Sequence, residues 1–512
     1  MRSSDDLFQL IKSLDKNEKR YFKLAVSKYT SAEDSNYIKL FDAIDTQEEY
    51  NEEKLKKKFK GKKIEKNFPT EKNYLYRLIL KSLRGYSQEQ TSDHKIKDMI
   101  REAEFLYKKA LYDQSEKILS RAKELAITHE KLLLLLEIYE MEGQQLPLTE
   151  NIEKTARYIE DDLPNALGIL KKIENLAEFT KYHLQLYITY MKSGDEKRNT
   201  EILDEVESII SLPIYKDERS ALTFLAKSYF YFMKRSYYRM QNDFENTMKY
   251  SRKEVQLFES HPHILTEQIS LYANSLINYA INQFESKKFD DCHATLKKLR
   301  NIQTRSEFVK LKILSRYYEL TFSMYAVSGN FEKVTSEVNE AKTFIESNKG
   351  KLAGSLEHNI KYNVAYCFFG TGNYKEAIRW INKTLNETAD EKVFPEKHCY
   401  ARILNLAIHY ELGNYDLLDS LIRSTGRYLN KKNLLFDTEE LFIDFIDKII
   451  IVTSEKEKLA EFAKFRKHLE SVYGKYSEKQ NPGYFNFFEW IDSKLLKKSF
   501  AEIIKEKSKS LN

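Results

Sequence analysis

Glycine and proline are both scarce, 14 and 7 of the 512 residues, well below the roughly 7% and 5% usual in globular chains. That leaves little room for tight hairpins, phosphate-cradling loops or long linkers, and it points to a chain that is nearly all helix. Cysteine is rarer still: Cys292, Cys367 and Cys399 are the only three, with no close spacing of a metal site or redox pair, so a reducing cytoplasm is the expected setting. The longest apolar runs, Leu132 to Leu136 and Ile449 to Val452, are far too short to cross a bilayer. Asp5 and Asp6 precede any apolar core and Lys12 follows soon after, which is not the pattern of a signal peptide. No membrane role is expected.

Catalytic signatures are missing too. There is no Gly-rich phosphate loop, His-Glu-x-x-His segment, nucleophile elbow or calcium loop. His261-Pro262-His263 has the two rings but no carboxylate cluster at ligand spacing. Cys292-His293 and His398-Cys399 are adjacent pairs, which point to different faces of a helix and so make no ready nucleophile and base. Acidic pairs such as Asp161-Asp162 and Asp290-Asp291 are ordinary solvated surface. No catalytic residue, metal or cofactor is assigned, and an enzyme is not expected.

What is abundant is aromatic and charged: 35 Tyr and 30 Phe against 2 Trp, with 84 basic and 78 acidic side chains evenly interspersed. A disordered chain would not carry so many aromatics. At 512 residues the chain is too long for one compact core, unless each unit packs only on its neighbours as in a repeat array.

Charge is concentrated at one end. Residues 1–90 hold 20 Lys/Arg and 15 Asp/Glu, nearly the whole excess of +6, and residues 54–84 carry 12 basic side chains against Glu65 and Glu71 alone. Such an asymmetry suits an anionic partner. Leu7, Leu10, Ile11 and Leu14 mark one face of a first helix. Asp15 starts a second with Glu18 as its reciprocal cap, and Tyr21, Phe22, Leu24, Ala25 and Val26 are expected inside. A third is predicted from about Asn36 to Asp45, burying Tyr37, Leu40, Phe41 and Ile44, and a basic fourth from about Glu52 to Lys60, closed by Gly61.

The fifth is predicted from a Thr70 N-cap to about Arg84, with Gly85 closing it. At about 100° per residue, Leu75, Leu78, Ile79, Ser82 and Leu83 share its buried face, and Tyr74, Arg77, Lys81 and Arg84 lie nearly opposite. Two readings follow: a cap on the rest of the chain with a solvated basic face, or a helix-turn-helix-like module that touches nucleic acid through residues 54–84. The connection from Gly61 to Pro69 is longer than that motif uses.

From about residue 91 the pattern becomes helix pairs. Asn363-Val364-Ala365, Phe368, Gly372-Asn373-Tyr374 and Ala377 resemble a tetratricopeptide repeat. The resemblance implies that Ala365 and Ala377 take the small positions where two helices cross and Tyr374 the aromatic after the turn. Weaker copies occur at Asn405-Leu406-Ala407 with Gly413-Asn414-Tyr415 and Leu418, and at Tyr325 with Gly329-Asn330-Phe331 and Val334. Others lie at Asn278 and Ala280 with Lys287-Lys288-Phe289 and Cys292, at Asn242-Asp243-Phe244, and at Ala110-Leu111-Tyr112. The turn aromatics Phe244, Phe289, Phe331, Tyr374 and Tyr415 are 45, 42, 43 and 41 residues apart, longer than the family's 34. The 132 residues from Tyr112 to Phe244 leave room for two further units, one turning at Ser193-Gly194-Asp195. Residues 437–473 read as one more pair, and the segment reopening after Asn481-Pro482-Gly483 is expected to seal the last apolar face.

The resemblance implies an all-α architecture: a basic helical domain over 1–90, a TPR-like α-α superhelix over 91–480 and a capping helix over 481–512. Long, eroded repeats of this kind look like those of bacterial helical-repeat sensors and adaptors. In that family the first helices face a concave groove, where Asn278, Asn363 and Asn405 would bind a ligand backbone, with Lys361 and Arg402 adding charge. The competing reading has these asparagines bonding to neighbouring repeats. The expected function is a cytoplasmic adaptor that binds a protein or peptide on the concave face. The alternative is a nucleic-acid-binding regulator whose repeats sense a ligand or partner.

Overall fold

The computed structural model describes residues 5–27, 34–61, 64, 67–87, 91–149, 151–193, 200–386, 395–473 and 485–510. Gly194-Asp195, Asn481-Pro482-Gly483 and, within the basic run, Lys62, Lys63 and Lys66 lie outside these residues. The chain is all-α: among the described residues there is no strand. It divides into two compact units, residues 1–181 with 221–226, and residues 182–220 with 227–512.

The first unit opens with α1 (Asp6–Ser13), α2 (Lys16–Ser27), α3 (Asp34–Asp45), α4 (Glu52–Lys58) and α5 (Phe68–Ser87). The capping box at α2 is formed: the Asp15 N–H donates to the Glu18 carboxylate at 2.8 Å and the Glu18 N–H to the Asp15 carboxylate at 2.8 Å. Leu7, Ile11, Phe22, Val26, Leu40, Phe41, Ile44, Leu75 and Ile79 share one core with Leu55 and Phe59.

Two boundaries and one burial differ from expectation. The fifth helix starts at Phe68, because Pro69 needs no donor in a first turn and buried Phe68 anchors it, so Thr70 lies inside rather than capping. It also continues through Gly85 to Ser87. Leu24 is 52% exposed, since Phe22 and Val26, four residues apart, already supply the buried stripe of α2.

A second core gathers α6 (Ser92–Lys108), α7 (Tyr112–Thr128), α8 (Leu132–Thr149) and the start of α10 (Leu163–Ser193). Between them α9 (Ile152–Arg157) passes into a π turn at Tyr158–Asp162. The Lys123 ammonium lies 2.9 Å from Glu142 and 2.7 Å from Asp162, tying α7, α8 and that turn together. The stretch in which two further units were expected holds this π turn and a 31-residue helix that ends at Ser193, where one of those units was expected to turn.

The second unit contains α11 (Thr200–Ile210), α12 (Phe224–Met240), α13 (Phe244–Glu259), the short α14 (Pro262–Glu267), α15 (Ile269–Glu285), α16 (Phe289–Arg300), α17 (Glu307–Ser328) and α18 (Val334–Ser347). It continues with α19 (Gly354–Gly370), α20 (Tyr374–Leu385), α21 (Pro395–Glu411), α22 (Tyr415–Lys431), α23 (Asp437–Ile449), α24 (Glu455–Tyr473), α25 (Phe487–Leu495) and α26 (Phe500–Ser510). First helices stack in chain order: α15 packs on α17, α17 on α19, α19 on α21 and α21 on α23.

One backbone device joins the two helices at six of the turns. The residue two before the turn aromatic is left-handed throughout: Asn242 (φ 57°), Lys287 (57°), Gly329 (71°), Gly372 (76°) and Gly413 (69°), as is Ala110 (60°) before Tyr112 in the first unit. The following N–H then reaches the carbonyl five residues back, as Asp243 to Tyr238 at 2.9 Å, Lys288 to Gln283 at 2.8 Å, Asn373 to Phe368 at 3.0 Å and Asn414 to His409 at 3.1 Å. This satisfies carbonyls that a helix end leaves without partners. The turn is therefore conserved in geometry along the chain even where glycine is replaced.

Helix crossings use small side chains. Ala365 and Ala377 are fully buried, as are Ala280 and Cys292, and the Cys292 thiol donates to the Ala280 carbonyl at 3.3 Å. Burial pushes the Cys292 thiol up to about 12 and raises Cys367 further, so both remain protonated packing groups at neutral pH.

Trp490 on α25 packs on α23 and α24, meeting Phe445 and Phe462 at 6.2 and 5.5 Å between ring centroids. The segment does not stop there. The Trp490 indole N–H donates to Glu411 at 2.6 Å, the Tyr366 hydroxyl to Asn486 at 3.0 Å, and α26 packs on α17.

Candidate partner-binding faces

On the stacked first helices of the second unit, much of the polar surface is already committed between neighbours. The Asn363 amide donates to the Ser323 hydroxyl at 2.7 Å and the Glu319 carbonyl at 3.4 Å, both on α17. One turn earlier the Asn359 amide donates to the Glu319 carboxylate at 2.5 Å, and Arg316 pairs with the same group at 2.7 Å. Lys361 is only 4% exposed and lies 2.6 Å from Glu357. Asn363 thus fixes the packing of α19 on α17, and Lys361 is an internal ion pair.

Asn278 is half-buried on α15. Arg402 and Asn405 sit one turn apart on α21 and behave differently from the others. The Arg402 guanidinium lies over the Tyr428 ring at 4.3 Å, with its Nε buried and unbonded, and the Asn405 Oδ1 is likewise buried without a hydrogen-bond partner. Buried polar atoms are nearly always satisfied, and each exception needs a reason. Here the two orphan atoms are a donor and an acceptor on one helix, the pair a peptide backbone would complement.

Nearby on α19 and α21, His358 and His398 are both buried, with ring centroids 5.1 Å apart. Burial, then the His398 ring and more weakly Lys361, push the His358 imidazole down to about 4, against a backbone hydrogen bond at Lys397 that raises it. Forty residues separate these two histidines, and they meet because α19 packs on α21.

In the first unit, α5 exposes Tyr74, Arg77, Lys81 and Arg84 along one side, as the helical spacing predicts. The Tyr74 ring packs at 4.8 Å on Tyr37, whose hydroxyl bonds Glu71. Not all of the basic run is available. Lys72 lies 2.8 Å from Glu52 and 2.7 Å from the Tyr50 hydroxyl, and Lys56 is 2.9 Å from Glu52. Burial pushes the Glu52 carboxyl up, but hydrogen bonds from Lys72, Lys56 and Tyr50 outweigh it and hold it at about 2. Lys72 is therefore a structural cation, while Lys54, Lys57 and Lys58 of α4 are exposed.

A second cationic feature was missed in the sequence. Lys16, Lys19, Arg20 and Lys23 line an open groove of about 600 Å³ whose floor is Leu24 and Ile38. The signal was present as basic residues at i, i+3, i+4 and i+7 of α2, and it explains why Leu24 faces solvent. Lys19 and Lys23 are paired with Asp45 and Asp42 at 2.7 and 2.5 Å. Among the described residues no helix is long and apolar enough to cross a membrane.

No protein-family model matches the chain, and no curated protein matches it either.

Proposed function

We propose that the chain is a non-enzymatic adaptor whose TPR-like helix pairs receive a protein or peptide segment on the face of their first helices. The observation that carries this reading is the pair of orphan polar atoms on α21, Arg402 Nε and Asn405 Oδ1, which the protein itself leaves unsatisfied. Both atoms lie beneath the surface, so an extended segment along α21 would meet them once the Arg402 and Asn405 side chains swing outward, giving the guanidinium a carbonyl or carboxylate and the amide oxygen an N–H. Asn363 and Lys361 support that face indirectly, by fixing α19. A reducing cytoplasm suits three buried cysteines that form no disulfide. The test is quantitative co-purification from the native host with wild type and the Arg402→Ala/Asn405→Ala variant. A partner retained by wild type and depleted at least tenfold on the variant is expected.

A second reading has its own observation, the exposed row Tyr74, Arg77, Lys81 and Arg84 on α5. In it the first unit contacts nucleic acid and the repeats bind a regulatory partner. Phosphate contacts by arginine and lysine would supply affinity and the Tyr74 ring a stacking surface.

A further inference from the structure

The π turn at Tyr158–Asp162 borders a cavity of about 180 Å³ in the first unit, walled by α7, α8 and α9. Such turns are rare and frequently stand at functional sites. Gly143 makes room for this one, since a Cβ there would lie 2.7 Å from the Tyr158 hydroxyl. That hydroxyl donates to the Tyr139 carbonyl at 2.8 Å, which holds the ring as part of the wall.

The lining carries both signs of charge. Glu142 and Asp162 share the one ammonium of Lys123, which also lies over the Tyr139 ring at 4.1 Å. Two carboxylates on one cation keep a negative charge, and Glu142 Oε1 and Asp162 Oδ2 meet no donor among the described residues. Burial raises the Glu142 carboxyl against the pull of Lys123, and Asp162 and Glu116 add repulsion. Gln145 adds a neutral acceptor. It is 6% exposed and lines the cavity; its amide nitrogen donates to the Ser115 hydroxyl at 2.8 Å, and its carbonyl oxygen accepts nothing from the described residues. On α9 the charge is reversed. Arg157 lines the cavity with no carboxylate partner among the described residues, and one turn earlier Lys154 lies 2.6 Å from Glu116 in a solvent-facing pair, weak enough to open.

We propose that this cavity binds a small zwitterion, with an ammonium and a carboxylate on one compact frame the size of a free amino acid. The three unmet acceptors, Glu142 Oε1, Asp162 Oδ2 and the Gln145 carbonyl, match the three N–H bonds of an ammonium. Arg157 and Lys154 take the carboxylate. Tyr112, Leu119 and Leu146 face the carbon frame. Size agrees: a cavity of about 150 Å³ holds benzene, so this one takes a molecule only slightly larger. A metal ion fits less well, because among the described residues no three His, Cys, Asp or Glu side chains group to hold one. The site rests on neither partner-binding reading.

The experiment is calorimetric titration of the full-length protein with glycine, β-alanine, γ-aminobutyrate, L-leucine and L-glutamine, and with butylamine and butyrate as singly charged controls. At least one zwitterion should bind with a Kd of about 1 mM or tighter, and at least tenfold more tightly than either control. Glu142→Gln and Arg157→Ala should each weaken it at least fivefold. In wild type the same compound at saturation should slow amide exchange in residues 142–146 and 154–162, an arm that needs no variant to fold. No zwitterion bound, binding no tighter than the controls, full affinity in both variants, or unchanged exchange overturns the proposal.

Discussion

The Ser115 hydroxyl donates to the Ala103 carbonyl at 2.8 Å across the crossing of α6 and α7. The same twelve-residue separation places Cys292 on Ala280 and Ala377 opposite Ala365. A small residue at each site lets two helices approach, and a hydroxyl or thiol adds a bond to the facing carbonyl. Ala365→Leu or Ala377→Leu, at fully buried positions, should destabilise by about 1–3 kcal/mol through overpacking. Ser115→Ala keeps the volume small and should cost about 1 kcal/mol. Urea unfolding followed by far-ultraviolet circular dichroism measures both.

Left-handed turns lacking glycine carry conformational cost. Ala110→Gly and Lys287→Gly relax residues at φ 60° and 57° and should each stabilise by about 1 kcal/mol. Gly372→Ala should cost about the same, and for backbone reasons alone, because a Cβ there meets nothing within 4 Å. Shifts in the same denaturation midpoint, with opposite signs for the two kinds of substitution, are the readout.

Acid should weaken the second unit earlier than carboxylate protonation would. His358 is 1% exposed and held down at about 4 in the folded chain, so only the unfolded chain gains its proton near pH 6.5. Its neutral form is fully compatible with folding above pH 6.5. Stability then falls as pH drops from 6.5 to about 4, by about 3 kcal/mol for this group. His183 and His409, both lowered by burial, add in the same direction. His398 and Lys361 oppose its charging, while a backbone hydrogen bond at Lys397 favours it. His358→Leu should flatten the stability profile between pH 7 and 5.

Nucleic-acid binding through α5 has a salt signature. If full-length protein binds short DNA or RNA, the slope of log affinity against log salt should fall by roughly 2–3 in the Arg77→Ala/Lys81→Ala/Arg84→Ala variant. No binding at low salt, or an unchanged slope, removes the second reading.

Local chemistry was legible in the sequence wherever it decided the outcome. The Asp15/Glu18 cap, the exposed row on α5, the turn glycines and the alanines at the crossing all follow from spacing and propensity, and the structure has them in place. Local rules failed where contacts over longer distances prevailed. Ala110 and Lys287 take left-handed turns against their own preference because the flanking helices must pair. Pro69, usually read as an end, begins a helix that buried Phe68 anchors. The return of α26 to Gly329 has no local signal, nor does the meeting of His358 with His398. In the candidate face, the asparagine positions were readable, but which of them bond to neighbours depends on Ser323 and Glu319, forty or more residues away.

The most direct test of the adaptor reading is the affinity of the co-purified partner, measured by calorimetry against wild type, Asn363→Ala and Arg402→Ala/Asn405→Ala. Loss of at least tenfold in the double variant, with circular dichroism unchanged and a smaller loss for Asn363→Ala, is the result expected. Equal affinity for all three proteins would contradict it.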